Sequence, residues 1–369
     1  MLLKQRLISI FPALGALILF AALLCDPASA AAGVREGLQL ALGTAVPALF
    51  PFFLVSSLLI STGCVSFLGK LFAFPSRVLF GLSGNAAPAL LLGLTGGYPV
   101  GARTVRELYD RKLLSKEEAA RALACCNNTG PGFLVGLCGA SLLGSVQAGV
   151  FLYGIHVLSA LLTGFALSER DDGAPANHPQ PVEQKPFAVC FVDSVQRAGV
   201  TALQVTAFIT AFSVLIRLLR GLGMVDRLAA LLTPLCPLLG LPKHGAQALV
   251  LGALELTCGL TALPSSAGRQ LLPAMSVLTA LGGLSVWCQS AAVLAGSGLP
   301  IWPMLRGKCL HALLAGALAT ITLHFLPLPL PVFSPAALPS IPRAMYGFAL
   351  LFGSFLLPFV SGNGRRHRI

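Results

Sequence analysis

Apolar runs close to twenty residues long recur from one end of this chain to the other: Leu7 to Leu24, Gly37 to Ile60, Ser145 to Leu167, Val192 to Leu219, Leu271 to Leu294, about Cys309 to Phe325, and Ala344 to Val360. At a rise of about 1.5 Å per residue, about 20 residues of helix cross a hydrocarbon core about 30 Å thick. Lipid offers the backbone no hydrogen bonds, so runs of this kind cross it as helices. Composition agrees: of 369 residues, 56% are hydrophobic and only 10% charged, whereas soluble domains carry roughly 25% charged residues. So few charges cannot cover a water-exposed body of this size, and so many apolar residues exclude a disordered chain. The sequence therefore predicts an all-α, polytopic protein of the cell membrane. Its net charge of +12 reads as a bias in the loops that sets orientation, and nucleic acid is not an expected partner.

The first run follows a short basic stretch, Met1 to Arg6, and is followed by Ala28-Ser29-Ala30. Residues 1–30 thus read either as a retained first helix or as a cleavable signal-like segment. In both cases Lys4 and Arg6 stay inside and Ala31 emerges outside. Pro47 and Pro51 predict kinks in the second run, and Val65 to Leu82, with Lys70 and Arg77, reads as lying at the inner interface. Ala86 to Ala102 is apolar but short, and its Gly93, Gly96, Gly97, Pro99 and Gly101 argue for a re-entrant segment.

Arg103 to Arg121 is the most charged part of the chain. Within it Ser115-Lys-Glu-Glu118 forms a capping box opening a helix toward Cys126. That helix meets Asn127-Asn128-Thr129-Gly130-Pro131-Gly132, a breaker in the middle of apolar sequence.

The order of crossing run, basic interfacial segment, short Gly-broken segment, second broken segment and crossing run occurs twice, from Gly37 to Leu167 and from Ala198 to Phe325. The expected organisation is a first segment 1–30, one repeat 35–167, a polar linker 168–190, a second repeat 191–326, and a C-terminal helix with a basic tail 327–369. Basic loops place both termini in the cytoplasm. They give the repeats one orientation if all four short segments are re-entrant, and opposite orientations if one of them crosses. The ten cysteines show no C-x-x-C pair and read as small packing residues. No cofactor or metal motif is present, and no Ser/His/Asp order suggests an enzyme.

Paired broken helices in two halves of a membrane protein point to a binding site where they meet. In Gly96-Gly97-Tyr98-Pro99 the glycines free the backbone and the proline suits the start of a half-helix. Asn127, Asn128, Thr129, Gly130 and Pro131 repeat that logic with good cap residues. Two helix amino ends at membrane depth would favour anionic or hydrogen-bonding groups. Glu255 is the one acidic residue deep in an apolar segment; there a carboxylate costs about 2.5 to 3.5 kcal/mol, so it should face a cavity, a partner such as Arg269, or a proton. Thr257, Gln289 and Ser290 are placed to add neutral hydrogen bonds. His156, in mid-run, reads as a helix–helix hydrogen-bonding residue, His311 as a residue near a helix end, and Arg306 with Lys308 as a basic loop.

Gly-Gly-Tyr-Pro-Val-Gly-Ala (96–102), the Leu114-Ser-Lys-Glu-Glu-Ala stretch, Cys126-Asn-Asn-Thr-Gly-Pro131 and Leu254-Glu-Leu-Thr-Cys-Gly259 together resemble the YlbJ-type sporulation integral membrane proteins. That family belongs with the nucleoside-recognition, or Gate, proteins, which are similar to the spore maturation proteins, the ferrous-iron permease core and the concentrative nucleoside transporters. The family more often has Ser-Gly before the aromatic-Pro pair and Ser before Gly-Pro; Gly96-Gly97 and Thr129 keep the backbone freedom and the hydroxyl. The resemblance covers residues 35–325 and implies a nucleoside-transporter-like fold, a role in endospore formation and a transport or gating activity. The expected partners are the bilayer, an unidentified small solute or ion, and other sporulation proteins. The alternative is a scaffold that moves no solute and recruits partners through Arg103 to Arg121.

Overall fold

The computed structural model of the chain describes residues 2–63, 72, 74, 76–168 and 186–325. The expected crossing Ala344 to Val360, the basic tail, most of the linker and Lys70 lie outside them. Every described regular element is helical. Among the described residues five helices are long and apolar enough to cross a membrane: Pro27–Ser61, Val146–Ala166, Phe187–Gly221, Gly268–Leu294 and Trp302–Phe325.

Helix α1 (Leu2–Cys25) ends at Asp26, whose carboxylate accepts the Ser29 amide at 2.9 Å and so caps the next helix. That helix starts ten residues before the expected crossing and runs as α2 (Pro27–Leu40) and α3 (Val46–Ser61), joined by one wide π turn, Ala41–Ala45. The π turn lies just ahead of Pro47, where the proline ring would strike the carbonyl four residues earlier; widening the turn relieves that clash.

The short Gly-rich segment is a hairpin, as expected: α4 (Ala87–Gly96) turns back into α5 (Val100–Asp110). α6 (Lys116–Cys126) follows, with Ser115 Oγ accepting the Glu118 amide at 3.1 Å. Only this half of the capping box forms. Glu118 is buried and its carboxylate accepts the Ser83 amide at 2.6 Å instead, tying α6 to the start of the hairpin. After the break come a wide π-type helix α7 (Gly132–Leu142) and the long α8 (Val146–Ala166).

In the second half α9 (Phe187–Gly221) and α10 (Met224–Leu232) lead to a hairpin of α11 (Ala246–Leu254) and α12 (Leu256–Thr261). The run from Leu271 to Leu294 is interrupted: α13 (Leu271–Leu281) stops at Gly282 and Gly283, both at positive φ, and α14 (Gly283–Leu294) resumes before α15 (Trp302–Phe325).

The long helices opening the halves run antiparallel. Gly33 packs on Val214 and Gly37 on Thr210, while at the other end Cys190 Sγ reaches the Ser61 carbonyl at 3.3 Å. An exposed ion pair, Glu36 with Arg217, closes the first end.

Candidate functional site

The first hairpin bends at Gly97, whose φ of 75° and ψ of −171° lie in a region essentially restricted to glycine. Gly97 also touches the second break: a Cβ built on it would lie 3.2 Å from the Gly130 amide nitrogen, and one on Gly130 would lie 3.0 Å from that of Gly97. The two glycine-bearing breaks therefore meet backbone to backbone. Carbonyls left open where α4 ends are taken up by side chains of other helices, Leu94 O by the Tyr153 hydroxyl and Thr95 O by the Ser56 hydroxyl, each at 3.3 Å. Both breaks also hold α13, since the Thr279 carbonyl accepts from the Thr129 hydroxyl at 2.7 Å and from the Tyr98 hydroxyl at 3.3 Å.

Beside these contacts opens a cavity. Its polar wall is Thr95, Tyr98 and Thr129 from the first half and Glu255, Thr257 and Gln289 from the second. Phe52 and Phe53 of α3, with Phe133 of α7, supply aromatic surface, and Val205 and Ile209 of α9 close it. A mainly apolar wall with a few convergent polar groups is the usual character of a small-molecule site.

Glu255 sits between α11 and α12 in extended backbone, 3% exposed, and its carboxylate accepts the Cys258 amide at 2.7 Å. Arg269 does not pair with it, and among the described residues neither does another basic side chain. The carboxylate thus caps its own short helix on the wall of the cavity.

Eight of the residues singled out from the sequence line the cavity: Gly96, Gly97, Tyr98, Thr129, Gly130, Glu255, Thr257 and Gln289. Pro99, Asn127, Asn128, Pro131 and Ser290 stand behind that wall. There Asn127 Nδ2 donates to Ser290 Oγ at 2.8 Å and to Met304 Sδ at 3.2 Å, while Asn128 Nδ2 donates to the Cys125 carbonyl at 2.7 Å. Pro99 and Pro131 precede the first turns of α5 and α7, as the sequence predicts.

Sequence reasoning missed a buried polar cluster on the far side of Tyr98. Lys308 lies inside α15, not in a loop, and is 2% exposed. Its ammonium donates to Tyr98 Oη at 2.9 Å, His311 Nδ1 at 3.2 Å and Asn128 Oδ1 at 3.5 Å. His311 Nε2 donates to the His156 carbonyl at 3.1 Å, and His156 Nε2 accepts the Thr129 amide at 3.1 Å. His156 joins two helices as expected, with its ring centroid 4.4 Å from that of His311. The spacing of Lys308 and His311, three apart and so on one helix face, is the signal that could have found the pair.

The family model for nucleoside recognition, named Gate, matches residues 42–166 and 202–336, well over half of the chain. The chain is 27% identical over 321 residues to the sporulation integral membrane protein YlbJ of Bacillus subtilis (strain 168), an alignment covering 81% of this chain and 79% of YlbJ. It is 26% identical over 301 residues to the uncharacterized membrane protein YvoD of the same organism, covering 77% of this chain and 91% of YvoD. Among solved structures it is similar to the concentrative nucleoside transporter CNTnw. With an inward-facing, substrate-bound state the TM-score is 0.51 at 17% identity, covering 83% of this chain and 86% of that one. With an outward-facing state of a doubly substituted CNTnw it is 0.54 at 16% identity, covering 85% and 87%. At such identities the likeness is one of fold alone. With the matches running through both halves, this chain belongs to the Gate, or nucleoside-recognition, family of membrane proteins.

Proposed function

We propose that the protein is a transporter-like or gating membrane protein acting in sporulation, and that its solute sits in the cavity between the two broken segments and Glu255. The observation that carries this reading is the shared wall: both interrupted segments of the first half and the lone buried acid of the second line one cavity. A hairpin that can swing on its base exposes such a cavity to one side of the membrane and then the other. The chemistry favours a small molecule with one flat apolar face for Phe52, Phe53 and Phe133, and with hydroxyl or N–H donors for the Glu255 carboxylate and the Gln289 amide. Nucleosides have that make-up, and the family description supports trying them first. The five-segment order that occurs twice along the sequence supports a duplicated chain with a site where the copies meet.

The alternative, a scaffold docking partners through Arg103 to Arg121, loses ground because Arg106 is turned inward, donating to the carbonyls of Val293 at 2.6 Å and Ala295 at 2.8 Å.

The test begins with thermal-shift screening of nucleosides, sugars and amino acids on detergent-purified protein, followed by flux of the stabilising solute in proteoliposomes. Glu255→Gln keeps the shape of the side chain and removes its charge. Lost flux at unchanged membrane levels is the expected result. Unchanged flux in this variant, or a wild-type protein that neither binds nor moves any of these solutes, overturns the reading.

A further inference from the structure

Lys308 stands out among the buried groups because, among the described residues, no carboxylate pairs with it. Its ammonium has three N–H donors, and three neutral acceptors surround it: the Tyr98 hydroxyl, the Asn128 amide oxygen and His311 Nδ1. The titratable groups that face it are Tyr98 at the hairpin tip, Cys125 and Cys126 at the end of α6, His156 of α8 and His311 on its own helix. The Tyr98 ring lies alongside, its centroid 5.0 Å from Nζ.

The hydrogen bonds fix the protons on both imidazoles. His156 O can only accept, so His311 carries its hydrogen on Nε2 and turns the Nδ1 lone pair to Lys308. The Thr129 amide can only donate, so His156 Nε2 is bare and its hydrogen is on Nδ1, which is buried with no partner among the described residues. The cage therefore holds a cation by hydrogen bonds alone, with an acceptor nitrogen beside it ready to take a hydrogen. A charge at membrane depth without an opposite charge is expensive, and such groups mark proton paths or ligand sites in membrane proteins.

We propose that Lys308, caged by Tyr98, Asn128 and His311, is a proton-binding site, filled and emptied as the hairpin tip carrying Tyr98 moves. In the filled state the amine holds three hydrogens, each with an acceptor. On emptying, one Nζ–H bond breaks, the electron pair stays on nitrogen, and His311 Nδ1 takes the proton through its own lone pair before passing it on to buffer. Tyr98 couples this site to the cavity, because the same residue lines the cavity wall and accepts from the ammonium. Withdrawing the tip removes one of three acceptors and weakens proton binding. The proposal does not depend on which solute occupies the cavity.

The experiment uses protons as the only probe. Full-length protein in proteoliposomes, with no solute added, is adsorbed on a solid-supported membrane and given pH jumps, and the displaced charge is recorded against pH. A proton reaching Lys308 crosses part of the membrane thickness and gives a transient current. In Lys308→Met that current is lost. In Tyr98→Phe it persists, with its midpoint moved about one pH unit toward acid, a tenfold loss of proton affinity, because the protonated form has lost an acceptor. A merely structural role for the cluster would lower the amount of folded protein without moving the midpoint. A Lys308→Met current equal to wild type, or a Tyr98→Phe midpoint equal to wild type, overturns the proposal; the second reading remains decisive if the Lys308 variant does not fold. Neither result depends on solute flux, so this inference and the transport reading can fail separately.

Discussion

Gly97 shows at a single residue how a sequence constraint becomes a site. Its backbone angles suit only glycine, and the space where a side chain would start is taken by Gly130. Gly97→Ala is therefore predicted to cost about 1–3 kcal/mol from backbone strain, read as a lower melting temperature in detergent. The same substitution at Gly154, on an open face of α8 with nothing within 4 Å of the added carbon, is predicted to be neutral or slightly stabilising, since alanine is the better helix former. Equal melting temperatures for the two variants would contradict this account. Lys308 illustrates the opposite case, a residue whose role the local sequence conceals. Beside Arg306 and ahead of an apolar run, it reads as part of a basic loop, because only the helix starting at Trp302 and its packing on α6 bring it under cover.

At the scale of elements, the hairpins depend on pairs of glycines that let two short helices touch. A Cβ on Gly259 would lie 2.1 Å from the Gly252 Cα, so α11 and α12 meet with no room for a methyl group. In the first hairpin, Cβ atoms on Gly93 and Gly101 would fall 1.5 and 1.9 Å from the Cys126 carbonyl oxygen, so the end of α6 seats itself in the same notch. Gly259→Ala is predicted to force the helices apart and to destabilise by at least the 1–3 kcal/mol typical of overpacking. Circular dichroism melting and the yield of monodisperse protein check it; an unchanged melt would mean the close approach is not needed. These breaks were legible because glycine and proline act locally, through backbone freedom and a missing donor. The length of the helices was less so. The start of α2 at Pro27 escaped the sequence reading although Asp26 and Pro27 are local start signals, and the wide turn at Ala41–Ala45 answers Pro47 beside it. Equally hidden were Phe52, Phe53, Val205 and Ile209 of the cavity wall, since ordinary apolar residues in a crossing helix carry no mark of the face they present.

For the whole molecule, the antiparallel pairing of Pro27–Ser61 with Phe187–Gly221 puts Arg35, Glu36 and the Arg217–Arg220 stretch at one end and Ser61 with Cys190 at the other. If both helices cross the bilayer, Ser61 and Arg217 leave it on opposite sides. Single-cysteine reporters at Arg35, Thr62 and Arg220 test this in intact vesicles with an impermeant maleimide. Positions 35 and 220 are predicted to label from one side and 62 from the other. Labelling of 62 together with 220 would refute the packing.

One atom ties these scales together. The carbonyl oxygen of Thr279 receives hydrogen bonds from Tyr98 and from Thr129, so both interrupted pieces of the first half are fastened to a single peak of negative charge on the second. Neither can leave without handing the other a stronger hold on that oxygen. Departure of the two is thus competitive at first and concerted once α13 itself shifts, which makes its displacement the step that would release them together.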